Sequence, residues 1–320
     1  MFKQSQSSGR RGTWLLILAL ILSTTTSVMA QASLRRALDY DNDGKTDQVV
    51  FRNSTGSWYI LKSGGGTVFT AFGNGATDFP TPGDFDGDGK GDISVWRDTE
   101  GVFYYLKSSN GAFAVQQWGS PGDEPVARNY DNDNKTDFAV ARRAGGALTW
   151  YILQSSDGAL RTVTFGLSTD FTAPGDYDGD GRVDIAVQRG SANNGPGTFY
   201  LLQSTAGFAA VQWGLSNDYV VPGDYDGDGK SDVAVVRDNA GSLAWYVRQS
   251  SNGALFAVNW GLSVSDFQAQ GDYDGDLKTD IAVWRDTTGT FYIRKASDGT
   301  LISANWGSPG DFPVAAYDTH

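Results

Sequence analysis

The feature that most constrains this chain is a nine-residue acidic loop that recurs six times. It begins at residues 39, 84, 129, 176, 224 and 272 and reads DYDNDGKTD, DFDGDGKGD, NYDNDNKTD, DYDGDGRVD, DYDGDGKSD and DYDGDLKTD. The intervals are 45, 45, 47, 48 and 48 residues. Two further marks keep the same phase. An aromatic pair stands at Trp58-Tyr59, Phe103-Tyr104, Trp150-Tyr151, Phe199-Tyr200, Trp245-Tyr246 and Phe291-Tyr292. An aromatic–glycine pair closes each unit at Phe72-Gly73, Trp118-Gly119, Phe165-Gly166, Trp213-Gly214, Trp260-Gly261 and Trp306-Gly307. Self-similarity at such a period means one supersecondary unit, repeated, that buries its apolar face only by stacking on its neighbours.

The unit reads as β-structure. Runs such as Ile93-Ser94-Val95-Trp96-Arg97 and Ile281-Ala282-Val283-Trp284-Arg285 follow the loop. A Gly/Ser/Thr/Asn turn leads to the strand with the aromatic pair, and a second such turn to the strand ending at the aromatic–glycine pair. A segment such as Val220-Val221-Pro222-Gly223 supplies a fourth strand, and no window carries a helical stripe. Four strands per unit is the pattern of a propeller blade. The expected fold is therefore all-β: a β-propeller of four-stranded blades, six from the six loops. Residues 311–318 resemble the opening of a seventh unit and then stop, so two readings stand. Either this strand closes the ring on the first blade, or the ring has seven blades. Tryptophans at nine of ten positions fall within the repeats; they read as core, with glycan-facing platforms as the alternative for some.

The spacing D-x-D-x-D-G-x-x-D places carboxylates at positions 1, 3, 5 and 9 of a tight turn, where they can converge on one point. Hard oxygen donors on a flexible turn suit Ca²⁺ better than Mg²⁺ or Zn²⁺. The fourth carboxylate at position 9 and the flanking strands distinguish the loop from a helical EF-hand. The expected ligands are Asp39, Asp41, Asp43 and Asp47; Asp84, Asp86, Asp88 and Asp92; Asn129, Asp131, Asp133 and Asp137; Asp176, Asp178, Asp180 and Asp184; Asp224, Asp226, Asp228 and Asp232; and Asp272, Asp274, Asp276 and Asp280. Up to six structural Ca²⁺ ions follow. The weakest sites are expected at the 129 loop, with neutral Asn129 and with Asn134 at the turn, and at the 272 loop, with Leu277 where glycine is usual.

Charge belongs to the same feature. The chain has 25 basic and 37 acidic residues, net −12, and 23 of the acidic ones sit in the six loops. Without the signal segment, which holds three basic residues and no acidic one, the net charge is −15 and six divalent ions would bring it to −3, so the acidity says little about a partner beyond making nucleic acid an unfavourable one. There is no cysteine, and the only histidine is His320. That excludes disulfides, thiolate nucleophiles, cysteine-bound zinc and histidine triads. Neither G-x-S-x-G nor H-E-x-x-H occurs, so no catalytic residue and no organic cofactor is expected. Each repeat also carries an arginine after its first long strand: Arg52, Arg97, Arg142, Arg189, Arg237 and Arg285. These read as inter-blade ion pairs or backbone contacts, with a ring of ligand-reading arginines as the alternative.

Residues 1–32 read as a secretory signal: Lys3, Arg10 and Arg11, then an apolar run from Trp14 to Leu22, then Ala30-Gln31-Ala32. That run is too short to span a bilayer. Residues 33–320 read as a single propeller domain. Gly190 to Gly197 is the longest interruption of the repeat, either a binding edge or a tolerated insertion.

The loops, joined to the Pro-Gly lead, Trp-Tyr and Trp-Gly marks, resemble the FG-GAP/VCBS-type repeats that build integrin α-subunit propellers and many secreted bacterial proteins. The resemblance covers roughly residues 34–318. It implies a β-propeller with Ca²⁺ at the four positions of each loop, and an adhesion module, a lectin-like binder or a domain attached to an enzyme. The expectation is a secreted or cell-surface binding module for glycan or protein, with a structural scaffold as the alternative and a carbohydrate-active enzyme as the least favoured.

Overall fold

The computed structural model describes residues 37–318. The segment read as a signal, and His320, lie outside them. The described strands form six antiparallel sheets of four strands each. They make a six-bladed propeller, as expected, and a short 3-10 turn follows the last strand at Val314–Asp318. No described helix is long and apolar enough to cross a membrane.

Blade 2 shows how a unit is built. Strands β4 (Asp78–Pro80), β5 (Ile93–Arg97), β6 (Val102–Leu106) and β7 (Phe113–Gln117) pair in that order, and the acidic loop joins β4 to β5. Exposure grades across the sheet. Ser94, Val95 and Trp96 of β5 are buried on both faces, whereas every other residue of β7 is open to solvent. The run of apolar residues in each second strand and the alternation in each fourth strand are thus two consequences of radial position. Blades 3, 4 and 5 are the longer repeats. Their extra residues lengthen the central hairpin, and a register shift appears near Ala147, Pro196 and Ser242. The Gly190–Gly197 interruption is such a hairpin, turning through left-handed Asn193 and Asn194.

The repeated marks hold blade to blade. Trp58, Trp96, Trp150, Trp245 and Trp284 are fully buried, so these are core. Among the tryptophans of the aromatic–glycine pairs, Trp118, Trp213, Trp260 and Trp306 donate Nε1–H to the carbonyls of Tyr151, Tyr246, Tyr292 and Tyr59 in the next blade. Blades 1 and 3 have Phe72 and Phe165 there and lack this bond. The glycine beside them is also required. Gly119 has φ 105°, and a Cβ on it would lie 3.1 Å from Val140 of the following blade.

The chain end closes the ring. Strand β24 (Asp311–Pro313) pairs with β1 (Gln48–Arg52), matching Arg52 with Asp311 and Val50 with Pro313. Thus residues 311–313 are the first strand of blade 1, not the start of a seventh blade. Apolar packing runs through the closure, where Val49, Val50 and Phe51 share a core with Trp284, Phe291 and Val314.

The repeating arginines are placed differently from the inter-blade expectation. Each forms a two-pronged ion pair within its own sheet, to an aspartate at the start of the first strand: Arg97–Asp78, Arg142–Asp123, Arg189–Asp170, Arg237–Asp218, Arg285–Asp266 and, across the closure, Arg52–Asp311. Each guanidinium also lies over a tyrosine of the third strand, at 4.2 Å for Arg52 on Tyr59. Adjacent strands put these three groups side by side, which is why the pair stays inside the blade.

Candidate metal centres

In blades 2 to 6 each acidic loop leaves the first strand and returns as the second, and in blade 1 the loop leads straight into β1, so all six lie on one face of the propeller. A ring of backbone hydrogen bonds connects them. The N–H at position 8 of each loop donates to the carbonyl at position 1 of the preceding loop: Gly91 to Asp39, Thr136 to Asp84, Val183 to Asn129, Ser231 to Asp176 and Thr279 to Asp224, at 2.6–2.9 Å. Thr46 to Asp272, at 2.7 Å, completes the circle.

Inside a loop the side chains have separate tasks. The position-1 carboxylate caps the turn; Asp176 accepts the N–H groups of Gly179, Asp180 and Gly181. The chain enters the left-handed region twice in each loop, at position 4 through Asn42, Gly87, Asn132, Gly179, Gly227 and Gly275, and at position 6 through Gly44, Gly89, Asn134, Gly181, Gly229 and Leu277. Only glycine does so freely, with asparagine the next best. Leu277 adopts φ 72° there, the strained geometry its sequence implied. The position-9 carboxylate is a staple. Asp184 accepts the N–H of Tyr177 within the loop and that of Ser204 in the turn between the third and fourth strands.

Carboxylate oxygens converge in groups of three within 4.8 Å: Asp39, Asp41 and Asp43; Asp84, Asp86 and Asp92; Asp131, Asp133 and Asp137; Asp176, Asp178 and Asp184; and Asp224, Asp226 and Asp232. Positions 1, 3 and 9 meet in blades 2, 4 and 5, while Asp47, Asp88, Asp180 and Asp228 stand outside these triplets. Asn129 brings a neutral amide to position 1, and its oxygen accepts the N–H of Asn132 as Asp84 accepts that of Gly87.

The convergence is electrostatically uncompensated. Burial pushes Asp92, Asp137, Asp184, Asp232 and Asp280 up to about 7, and neighbouring position-3 carboxylates add to the shift against the N–H groups that lower it. Asp41 Oδ1 and Asp178 Oδ1 are buried with no hydrogen-bond partner. An unpartnered inward-facing oxygen beside two other carboxylates is a donor set that suits a hard cation. In this respect the residues fit Ca²⁺, which would be held by the converging aspartates and would supply the missing positive charge.

Two kinds of participant are invisible to a motif reading. Hydroxyls from the turn before the fourth strand clamp position 5: Ser63 on Asp43, Ser108 on Asp88, Ser155 on Asp133, Ser204 on Asp180 and Ser250 on Asp228. Blade 6 has Ala296 in that place, so Asp276 lacks the clamp, and Lys295 approaches Asp274 at 3.6 Å. The 272 loop thus departs in three ways, of which the sequence showed only Leu277. The aspartates that hold the arginines recur 19 residues ahead of them in blades 2 to 6. That constant spacing was the available signal.

The family profile described as FG-GAP-like repeat matches residues 39–95 and 129–187. No curated protein is significantly similar to the chain. Among solved structures it resembles a candidate 6-phosphogluconolactonase from Bacteroides uniformis at 11% identity and a TM-score of 0.45, over 85% of this chain and 97% of that one. That likeness is too distant to bear on function.

Proposed function

We propose that this six-bladed propeller of FG-GAP-like repeats is a secreted, calcium-stabilised module that binds extracellular glycan or protein, and that it is not an enzyme. The observation that carries the calcium part is the buried, unpartnered oxygen of Asp41 and of Asp178 within converging carboxylates. Binding is favoured over catalysis because the conspicuous acidic groups already have structural partners. The loop aspartates cap and staple their turns, and six more are held by arginines. The amino-terminal signal-like segment supports export to a compartment where calcium is plentiful.

Exposed apolar side chains at both edges of the blades supply contact surface. Phe113, Leu160, Phe208, Leu255 and Leu301 are exposed near the start of the fourth strands, one in each of blades 2 to 6. Phe79, Phe171, Tyr219 and Phe267 are exposed on the first strands, at the end away from the acidic loops. The buried tryptophans are not part of such a surface.

Titration of chelator-stripped protein with Ca²⁺ by calorimetry, paired with melting curves, tests the metal. A site occupied at a hundredfold over its Kd adds about 2.7 kcal/mol, so melting temperature should rise clearly with calcium. Metal-free purified protein with a melting curve indifferent to chelator would overturn it. A glycan array probed with and without calcium tests the binding role. Saturable, calcium-dependent binding supports it, and a wholly blank array with no captured protein partner favours a scaffold.

A further inference from the structure

The repeats are near copies, so a place where one interface departs from the others is informative. Position by position, one residue near the end of the third strand pairs with the first residue of the second. It is Leu61, Leu106, Leu153 and Leu202 in blades 1 to 4, but Arg248 and Arg294 in blades 5 and 6. On the fourth strand, Phe256 of blade 5 stands where blades 2 and 4 have Ala114 and Ala209. These departures meet. The Arg294 guanidinium carbon lies 5.8 Å from the centre of the Phe256 ring, across the boundary between blades 5 and 6.

They line a groove of about 450 Å³ that also receives Lys278, Gln249, Ser297 and Asp298. Its size is that of a small-molecule site, and its lining mixes an aromatic face with a few polar groups. Among the described residues, the side chains of Arg294 and Lys278 make no hydrogen bond and no ion pair. The six arginines of the blade cores are paired to carboxylates, and Arg294 is a different kind of residue. A half-buried guanidinium with its donors unspent, near a second cation, is arranged to receive a carboxylate through paired N–H···O bonds.

We infer that the groove between blades 5 and 6 binds a uronic-acid residue of an anionic glycan, a deepening that rests on the glycan-binding reading above. Arg294 takes the sugar carboxylate, with Lys278 adding positive charge. The Phe256 ring meets the apolar C–H face of the pyranose. Gln249, Ser297 and Asp298 offer donors and acceptors to its hydroxyls. Neutral sugars lose the charged contact and leave Arg294 unpaired.

The repeat itself supplies variants that should fold. Arg294→Leu restores the residue of blades 1 to 4, and Phe256→Ala that of blades 2 and 4. Calorimetry on the full chain in calcium, with cellobiouronic acid against cellobiose, reads the site. The acid should bind at least about tenfold tighter than its neutral counterpart, as expected of a charged hydrogen-bonded contact. Arg294→Leu should abolish that preference, Phe256→Ala should weaken both sugars, and Arg248→Leu should change neither. Equal affinity for the two disaccharides overturns the acidic specificity. A preference untouched by Arg294→Leu overturns the location while leaving glycan binding intact. No binding of either disaccharide by the parent protein overturns the site; the glycan array then decides separately whether the broader reading survives.

Discussion

Removing the Asp311 carboxylate should loosen the ring at its one non-covalent seam. Asp311 is almost wholly buried, its side chain 1% exposed, and meets Arg52 at 2.7 and 2.9 Å while accepting the Ser308 N–H. Truncating one partner of a buried pair costs about 3–5 kcal/mol. The Arg52 side chain is 26% exposed and keeps Tyr59, through its hydroxyl and its ring face. Partial hydration therefore reduces the loss in Asp311→Ala to about 2–3 kcal/mol. In a domain of this size that lowers Tm by about 4–8 °C. Asp170→Ala removes the matching pair with Arg189 in blade 4, where the two strands are joined through their own acidic loop. It should lower Tm similarly. Hydrogen exchange separates the two. Asp311→Ala should accelerate exchange at the amides of Arg52 and Val314 and in the neighbouring strands of blades 1 and 6, and Asp170→Ala should not. Unchanged exchange at the seam in Asp311→Ala would show that the pair braces a blade without fastening the ring. Unchanged Tm in both variants would refute the brace itself.

Leu277→Gly should stabilise the protein by about 1 kcal/mol, since left-handed strain of about 1–2 kcal/mol exceeds the extra chain entropy of glycine; a denaturant midpoint that falls would contradict this. Ala296→Ser should give Asp276 the hydroxyl its five counterparts have, strengthening the proposed calcium binding at the 272 loop by about 0.5–1.5 kcal/mol, as read by calcium titration. Trp118→Phe should cost about 0.5–1.5 kcal/mol through loss of the bond to Tyr151. Phe72 and Phe165 already fill that place in blades 1 and 3, so a variant that fails to fold would argue against this assignment.

The periodic features were legible in sequence because each is local. The six loops, the aromatic pairs and the aromatic–glycine pairs recur in phase, and a four-stranded unit at that period leads to a blade. Leu277 could be recognised as strained from its place in the loop, because the backbone there is set within nine residues. Even so, the arginines were assigned to the wrong neighbours: a sequence shows that Arg97 repeats, but not which surface of its strand faces a buried carboxylate. The Asp78–Arg97 spacing of 19 residues carries that pairing only once the hairpin register is known.

Tertiary structure alone decided how the array ends and where it differs from itself. Arg52 and Asp311 are 259 residues apart, and no local period relates them; their contact exists because six wedge-shaped blades return the chain to its starting point. The unpartnered oxygens of Asp41 and Asp178, the serine clamps and the meeting of Arg294 with Phe256 likewise depend on separate turns or separate blades coming together. Sequence determined the unit and its acidic loop through short-range spacing. The ring and its asymmetries come from packing between units, where a single changed side chain alters a contact that the repeat pattern cannot express.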